Sequence, residues 1–166
     1  ADKQKLRTIY LFNAGISYRN LLKYMLKELG RVPETDSVCE MVNQLHQALI
    51  NEYREGRNVL LLIDEAQNMP VDTLENLRML SNLETTTEKL IQVVFSAQPE
   101  FEKTLNREEL KQLKQRIAVK ALIAPLTRDE GLAYIHHRLK SAAGKETVIF
   151  TRYAVSSSNR ITKKKS

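Results

Sequence analysis

Apolar positions along this chain switch repeatedly between a spacing of two and a spacing of three to four. Residues 7–12 form a short β-rich run, and Ser17 stands where it can cap a following helix that places Leu21, Leu22, Met25, Leu26 and Leu29 on one face. Gly30 and Pro33 end that helix. Ser37 with Glu40 three residues later has the form of a capping box, opening a helix with Val38, Met41, Val42, Leu45, Leu49 and Tyr53 at helical spacing and closing at Gly56. Residues 58–63 are almost continuously aliphatic, as a strand buried on both faces must be. A helix over 71–82 follows, with Leu74, Leu77, Met79 and Leu80 turned inward, and then a second apolar strand over 90–95. Beyond Pro99 the pattern predicts two short helices (100–105 and 107–115), a strand over 117–123, and a helix opened by a second capping box, Thr127 and Glu130, that carries Tyr134, Ile135 and Leu139 and ends near Gly144. Thr151 has the form of one more helix cap, before the serine run at 156–158. This alternation predicts a mainly parallel α/β sheet with helices on both faces, in which ligands sit beyond the carboxyl ends of the strands.

Composition narrows the class. At 166 residues, 42% hydrophobic and 28% charged, the chain is ordinary globular protein, long enough to bury a core and without a run that could span a bilayer. One cysteine, Cys39, makes no intramolecular disulfide and favours a reducing, cytoplasmic setting. The formal charge of +6 suggests nucleic acid until it is located: Arg160, Lys163, Lys164 and Lys165 carry +4, and Lys3, Lys5 and Arg7 against Asp2 carry +2. Residues 8–159 therefore have no net charge with which to attract a phosphate backbone. The basic tail reads as a solvated or non-native end.

The strongest chemical feature follows the aliphatic strand, where 59–63 runs straight into Asp64-Glu65-Ala66-Gln67-Asn68. Adjacent carboxylates at the end of a buried strand attract a cation or a catalytic water, and the pattern is that of a Walker B segment. In that role Asp64 helps hold Mg²⁺, and Glu65 takes the proton of a water attacking a γ-phosphate. The alternative is that both acids merely cap the next helix. Ser96 and Gln98 stand just past the next strand, where they could orient the water or simply build the turn before Pro99. Arg116 ends a helix ahead of residues 117–123, placed either to reach a neighbouring subunit's nucleotide or to complement its helix dipole. His136 and His137 are adjacent on a helix and point apart, so they read as surface residues rather than metal ligands, as does His46.

With these motifs in order, the chain resembles the AAA+ ATPases of the general secretion pathway protein A (ExeA-like) family. The resemblance rests on residues 59–68 (VLLLIDEAQN), 74–85 (LENLRMLSNLET), 89–101 (KLIQVVFSAQPEF), 110–117 (LKQLKQRI) and 125–139 (PLTRDEGLAYIHHRL). It implies a P-loop NTPase fold of AAA+ type, with a partial nucleotide-hydrolysing core over 1–124, the start of a helical lid over 125–155 and a basic tail over 156–166. It also implies ATP and Mg²⁺ as cofactors, Glu65 and Arg116 as catalytic groups, Asp64 as metal ligand, and Ser96 and Gln98 at the sensor 1 position. As partners it implies self-association as an AAA+ oligomer and bacterial secretion-pathway proteins. The complete proteins often carry an inner-membrane anchor, although nothing in this stretch contacts a membrane. The alternative class is a non-catalytic assembly scaffold or a DNA-transposition accessory domain.

Two expected motifs are missing. No Gly-x-x-x-x-Gly-Lys-Ser/Thr occurs in the 166 residues, the nearest string being Gly144-Lys145-Glu146-Thr147, and the later Gly-x-Pro-Arg survives only as a faint echo at Arg160. The resemblance puts the phosphate loop and its strand before residue 1, between the strand at 90–95 and the one at 117–123. The chain is therefore expected to lack a central strand, to leave a gap there, and neither to bind ATP tightly nor to hydrolyse it.

Overall fold

The computed structural model describes residues 5–143, apart from 81, 86 and 87. By compactness the chain divides into two units, Ala1–Val119 and Lys120–Ser166.

The first unit is built on three parallel strands, β1 (Lys5–Leu11), β2 (Arg57–Ile63) and β3 (Ile91–Phe95), in the spatial order β1-β2-β3. Register aligns their carboxyl ends: Leu11 pairs with Ile63, and Ile63 with Phe95. Ile9, Leu11, Val59, Leu61, Ile63 and Ile91 point to one face and are buried. Tyr10, Leu60 and Leu62 alternate onto the other face and are only half-buried. The aliphatic run at 58–63 is thus buried fully on one side, not on both as its sequence suggested.

Helices supply the rest of the core. Ser17 caps α1 (Tyr18–Glu28) by accepting the Asn20 N–H at 3.4 Å, and Leu21, Leu22, Met25 and Leu26 are wholly buried. The helix closes at Leu29, with Gly30 at φ 72°, a conformation that glycine adopts without a Cβ penalty. α2 (Val38–Arg54) packs on α1 and β2 and buries Met41, Leu45, Ala48 and Leu49. Its predicted capping box does not form: the Ser37 N–H that Glu40 would have satisfied is already taken by Thr35 Oγ1 at 3.0 Å. α3 (Val71–Leu80) turns Leu74, Leu77 and Leu80 inward, but leaves Met79 half exposed. After β3 come α4 (Phe101–Leu105), a 3₁₀ turn (Glu108–Leu110) and the single-turn helix α5 (Lys111–Lys114), with Phe101, Leu110 and Leu113 buried.

The strand expected over 117–123 is absent. Those residues have no regular structure, and Val119, Leu122 and Ile123 are 83%, 83% and 92% exposed. A strand exists only through hydrogen bonds to a neighbour, and among the described residues β3 is paired on its β2 side alone. In the second unit, α6 (Arg128–Ala143) begins at a capping box that does form. Thr127 N–H donates to Glu130 Oε2 at 2.8 Å, and Glu130 N–H donates to Thr127 Oγ1 at 3.4 Å. The helix cap at Thr151, the nearest glycine-lysine string, Arg160 and the basic tail lie outside the described residues.

Candidate active site at the carboxyl ends of the strands

Strand parity assembles the site. Tyr10 pairs with Leu62 and Leu62 with Val94, so Tyr10 shares a face with Asp64 and Ser96, each two residues past one of those partners. The ladder runs one step beyond the strands: Asp64 N–H donates to the Leu11 carbonyl at 3.0 Å, and Ser96 N–H to the Ile63 carbonyl at 2.8 Å. Asp64 is thereby held between its neighbours. Its Oδ1 accepts Ser96 Oγ–H at 2.9 Å and the Glu65 N–H at 3.0 Å, and its Oδ2 accepts the Tyr10 hydroxyl at 3.1 Å. These donors, the Ser96 hydroxyl foremost and then Tyr10, keep the Asp64 carboxyl below the usual carboxylate range. The same bond pushes the Tyr10 phenol up. Tyr24, from α1, donates its hydroxyl to the Tyr10 carbonyl at 2.6 Å and ties β1 to that helix.

Glu65 breaks the strand direction. Its φ of 52° and ψ of 41° are left-handed, which glycine excepted is found at no other described residue. The chain then enters a 3₁₀ turn, Ala66–Asn68, fixed by Ala66 N–H on the Ser96 carbonyl at 3.0 Å and by full burial of Ala66. Glu65 itself stays exposed, with Oε2 accepting the side-chain amides of Gln67, at 2.5 Å, and Gln98, at 3.4 Å. Gln67 Oε1 in turn accepts the Gln98 backbone N–H at 3.0 Å.

Four of the five residues singled out from sequence, Asp64, Glu65, Ser96 and Gln98, therefore meet in one hydrogen-bonded cluster. Arg116 lies on the exposed turn that closes α5, its N–H on the Leu113 carbonyl at 3.0 Å. Sequence reasoning missed Tyr10 and Gln67. The alternation in residues 7–12, set in register with 59–63, was the available signal for Tyr10. Among the described residues no group of three or more His, Cys, Asp or Glu is placed to hold a metal on protein ligands alone, and His136 and His137 are exposed. His46 is half-buried rather than a surface residue, and its Nε2 has no hydrogen-bond partner among the described residues.

A family model described as an AAA domain matches residues 2–105. The chain belongs to the AAA domain family. This AAA domain is 34% identical over 153 residues to General secretion pathway protein A of Aeromonas hydrophila, an alignment covering 92% of the chain and 28% of that relative. Its structure is similar to the ORC2 protein of Aeropyrum pernix, solved in ADPNP-ADP complexes, with a TM-score of 0.64 at 17% identity over 84% of this chain and 37% of that one. It is likewise similar to Cdc6p from Pyrobaculum aerophilum, with a TM-score of 0.59 at 16% identity over 82% and 35% of the respective chains. At such identities the likeness establishes the fold alone, which is that of the AAA+ P-loop NTPases, α/β with parallel strands. The AAA domain spans only about a third of these solved structures and 28% of the secretion protein.

Proposed function

We propose that this AAA domain supplies the hydrolysing half of an ATPase's nucleotide site, in a protein serving a bacterial secretion apparatus as its A. hydrophila relative is named to do. One observation carries the reading: an Asp-Glu pair stands at the end of the central strand, with Asp64 bonded to Ser96 from the end of the next.

The residues fit Mg²⁺ in part. A carboxylate offers about four lone-pair sites, and Asp64 has committed two on Oδ1 and one on Oδ2, so one remains for a cation or its water. Mg²⁺ asks little more of a protein, being held by one or two carboxylates together with substrate phosphates. When bound, it neutralises charge on the β- and γ-phosphates. Glu65 has one oxygen occupied by amides and the other, Oε1, without a donor among the described residues, as a base must have to accept the proton of an attacking water. Arg116, permanently charged and exposed, suits a contribution to a neighbouring subunit's site in an AAA+ oligomer.

The phosphate-cradling half does not fit, because no Gly-x-x-x-x-Gly-Lys motif occurs in these 166 residues. The stretch by itself accordingly neither binds ATP tightly nor turns it over. A second reading is a non-catalytic assembly scaffold or DNA-transposition accessory domain, which a full-length polypeptide without that motif would favour. The neutral body of the chain argues against direct nucleic-acid contact. No helix among the described residues is long and apolar enough to cross a membrane.

Titration of a fluorescent ATP analogue with Mg²⁺ tests the reading, on the 166-residue chain and on the full-length polypeptide, each with a Glu65→Gln variant. The expected result is no saturation in the short chain, and in the long one binding that survives Glu65→Gln while turnover stops. Saturable micromolar binding by the short chain refutes the missing-cradle account. Undiminished turnover in Glu65→Gln refutes the assignment of the base.

A further inference from the structure

We propose that Gln67 is the positioning residue for Glu65, a bridge that commits one carboxylate oxygen to the protein and leaves the other for the water. The inference rests on Glu65 being the base.

A backbone N–H only donates and an ionised carboxylate only accepts, so an amide placed between them has one satisfying orientation. Gln67 is so placed: its Oε1 accepts the Gln98 N–H at 3.0 Å, and its Nε2 donates to Glu65 Oε2 at 2.5 Å. A flipped amide would set oxygen against oxygen and N–H against N–H. Backbone geometry brings the group there. The left-handed φ of Glu65 starts the 3₁₀ turn that folds Gln67 back over a residue two positions earlier, and the buried Ala66, bonded to the Ser96 carbonyl, anchors the turn to β3. The Gln98 side-chain amide converges on the same Oε2 at 3.4 Å. Two amides on one oxygen restrict the carboxylate's rotation and leave Oε1 as the oxygen that no described residue engages. A base is effective only when held within hydrogen-bond reach of its proton, and small misplacements cost rate rather than binding.

Two substitutions separate positioning from architecture. Gln67→Glu keeps an oxygen for the Gln98 N–H but removes the donor to Glu65, whereas Gln67→Met removes both bonds at similar volume. In the full-length polypeptide both variants are expected to lose about 10²-fold in kcat, with KM and the dissociation constant of an ATP analogue within about twofold of the parent. In the 166-residue chain, the side-chain amide resonances of Gln67 are expected to shift and to exchange faster with water in Glu65→Ala. Unchanged kcat in Gln67→Glu, beside a Glu65→Gln variant that is inactive, overturns this inference and leaves the base standing. A fall in analogue binding equal to the fall in kcat assigns Gln67 to architecture and also overturns it, as do Gln67 amide resonances indifferent to Glu65→Ala. Full turnover in Glu65→Gln removes the reading beneath it.

Discussion

The left-handed backbone at Glu65 makes the sign of a stability difference predictable. Glu65→Ala and Glu65→Gly remove the same exposed side chain and the same two amide contacts, so those losses cancel between the variants. What remains is the backbone. A residue with a Cβ at φ 52° carries about 1–2 kcal/mol of strain that glycine does not. Against that, glycine loses more unfolded-state freedom, worth about 0.4–1 kcal/mol in favour of alanine. The balance leaves Glu65→Gly the more stable by about 0.5–1 kcal/mol, or a few degrees in melting temperature for a chain of this length. At an ordinary helix or strand position the order reverses, alanine being favoured by about 0.5–1 kcal/mol. Urea unfolding followed by far-ultraviolet circular dichroism reads the difference directly, provided both variants share one m-value. Glu65→Ala equal to or more stable than Glu65→Gly refutes the strained geometry, and with it the means by which Gln67 is folded back over the carboxylate.

Three further outcomes follow from the structure. Glu52, only 7% exposed, accepts Arg57 Nε at 2.6 Å and Arg7 Nη1 at 3.2 Å, and the Arg57 bond foremost holds its carboxyl below the ordinary 4.5. Its stabilisation is present above that value and is lost as pH falls through the lower folded one, so Glu52→Gln should cost about 1–2 kcal/mol at pH 7, discounted for the partly exposed arginines, and should flatten the acid limb of a stability–pH profile below 4.5. Leu61→Ala, at a fully buried position of the central strand, should cost about 2–5 kcal/mol in urea unfolding at unchanged m-value. Val94→Lys puts a charge on the half-exposed face of β3, a strand paired on one side among the described residues, and should reduce concentration-dependent light scattering without altering the circular dichroism; equal scattering would show that this edge does not self-associate.

Local patterns were legible where the spacing of apolar residues decided the outcome. Helical spacing gave α1, α2 and α6 to within a residue or two, and aliphatic runs gave β2 and β3. Failures arose where a distant or unforeseen partner decides. The capping box at Ser37 gave way to Thr35, which reached the same N–H from two residues upstream. Residues 117–123 have strand composition and no strand, because β propensity measures fitness for a neighbour and cannot supply one. The site divides along the same line: Asp64, Glu65, Ser96 and Gln98 stood out by lying just past apolar strands, whereas Tyr10 and Gln67 came into view only through register and through a backbone reversal.

The same register explains why the candidate site gathers at this one edge. Three parallel strands ending level bring the residues that follow them to a common height, and parity selects which of those side chains share a face. Asp64 then receives one donor from each flank, Tyr10 from β1 and Ser96 from just beyond β3, and a third from the backbone N–H of Glu65. Glu65, next along a regular strand, would have pointed into the buried face beside Ile63. Its left-handed turn carries it out to solvent instead, where Gln67 and Gln98 catch one oxygen. One backbone reversal thus converts two consecutive carboxylates, which strand geometry would place on opposite faces, into neighbours in different surroundings: Asp64 anchored by three donors, and Glu65 held by one oxygen, the other without a donor among the described residues.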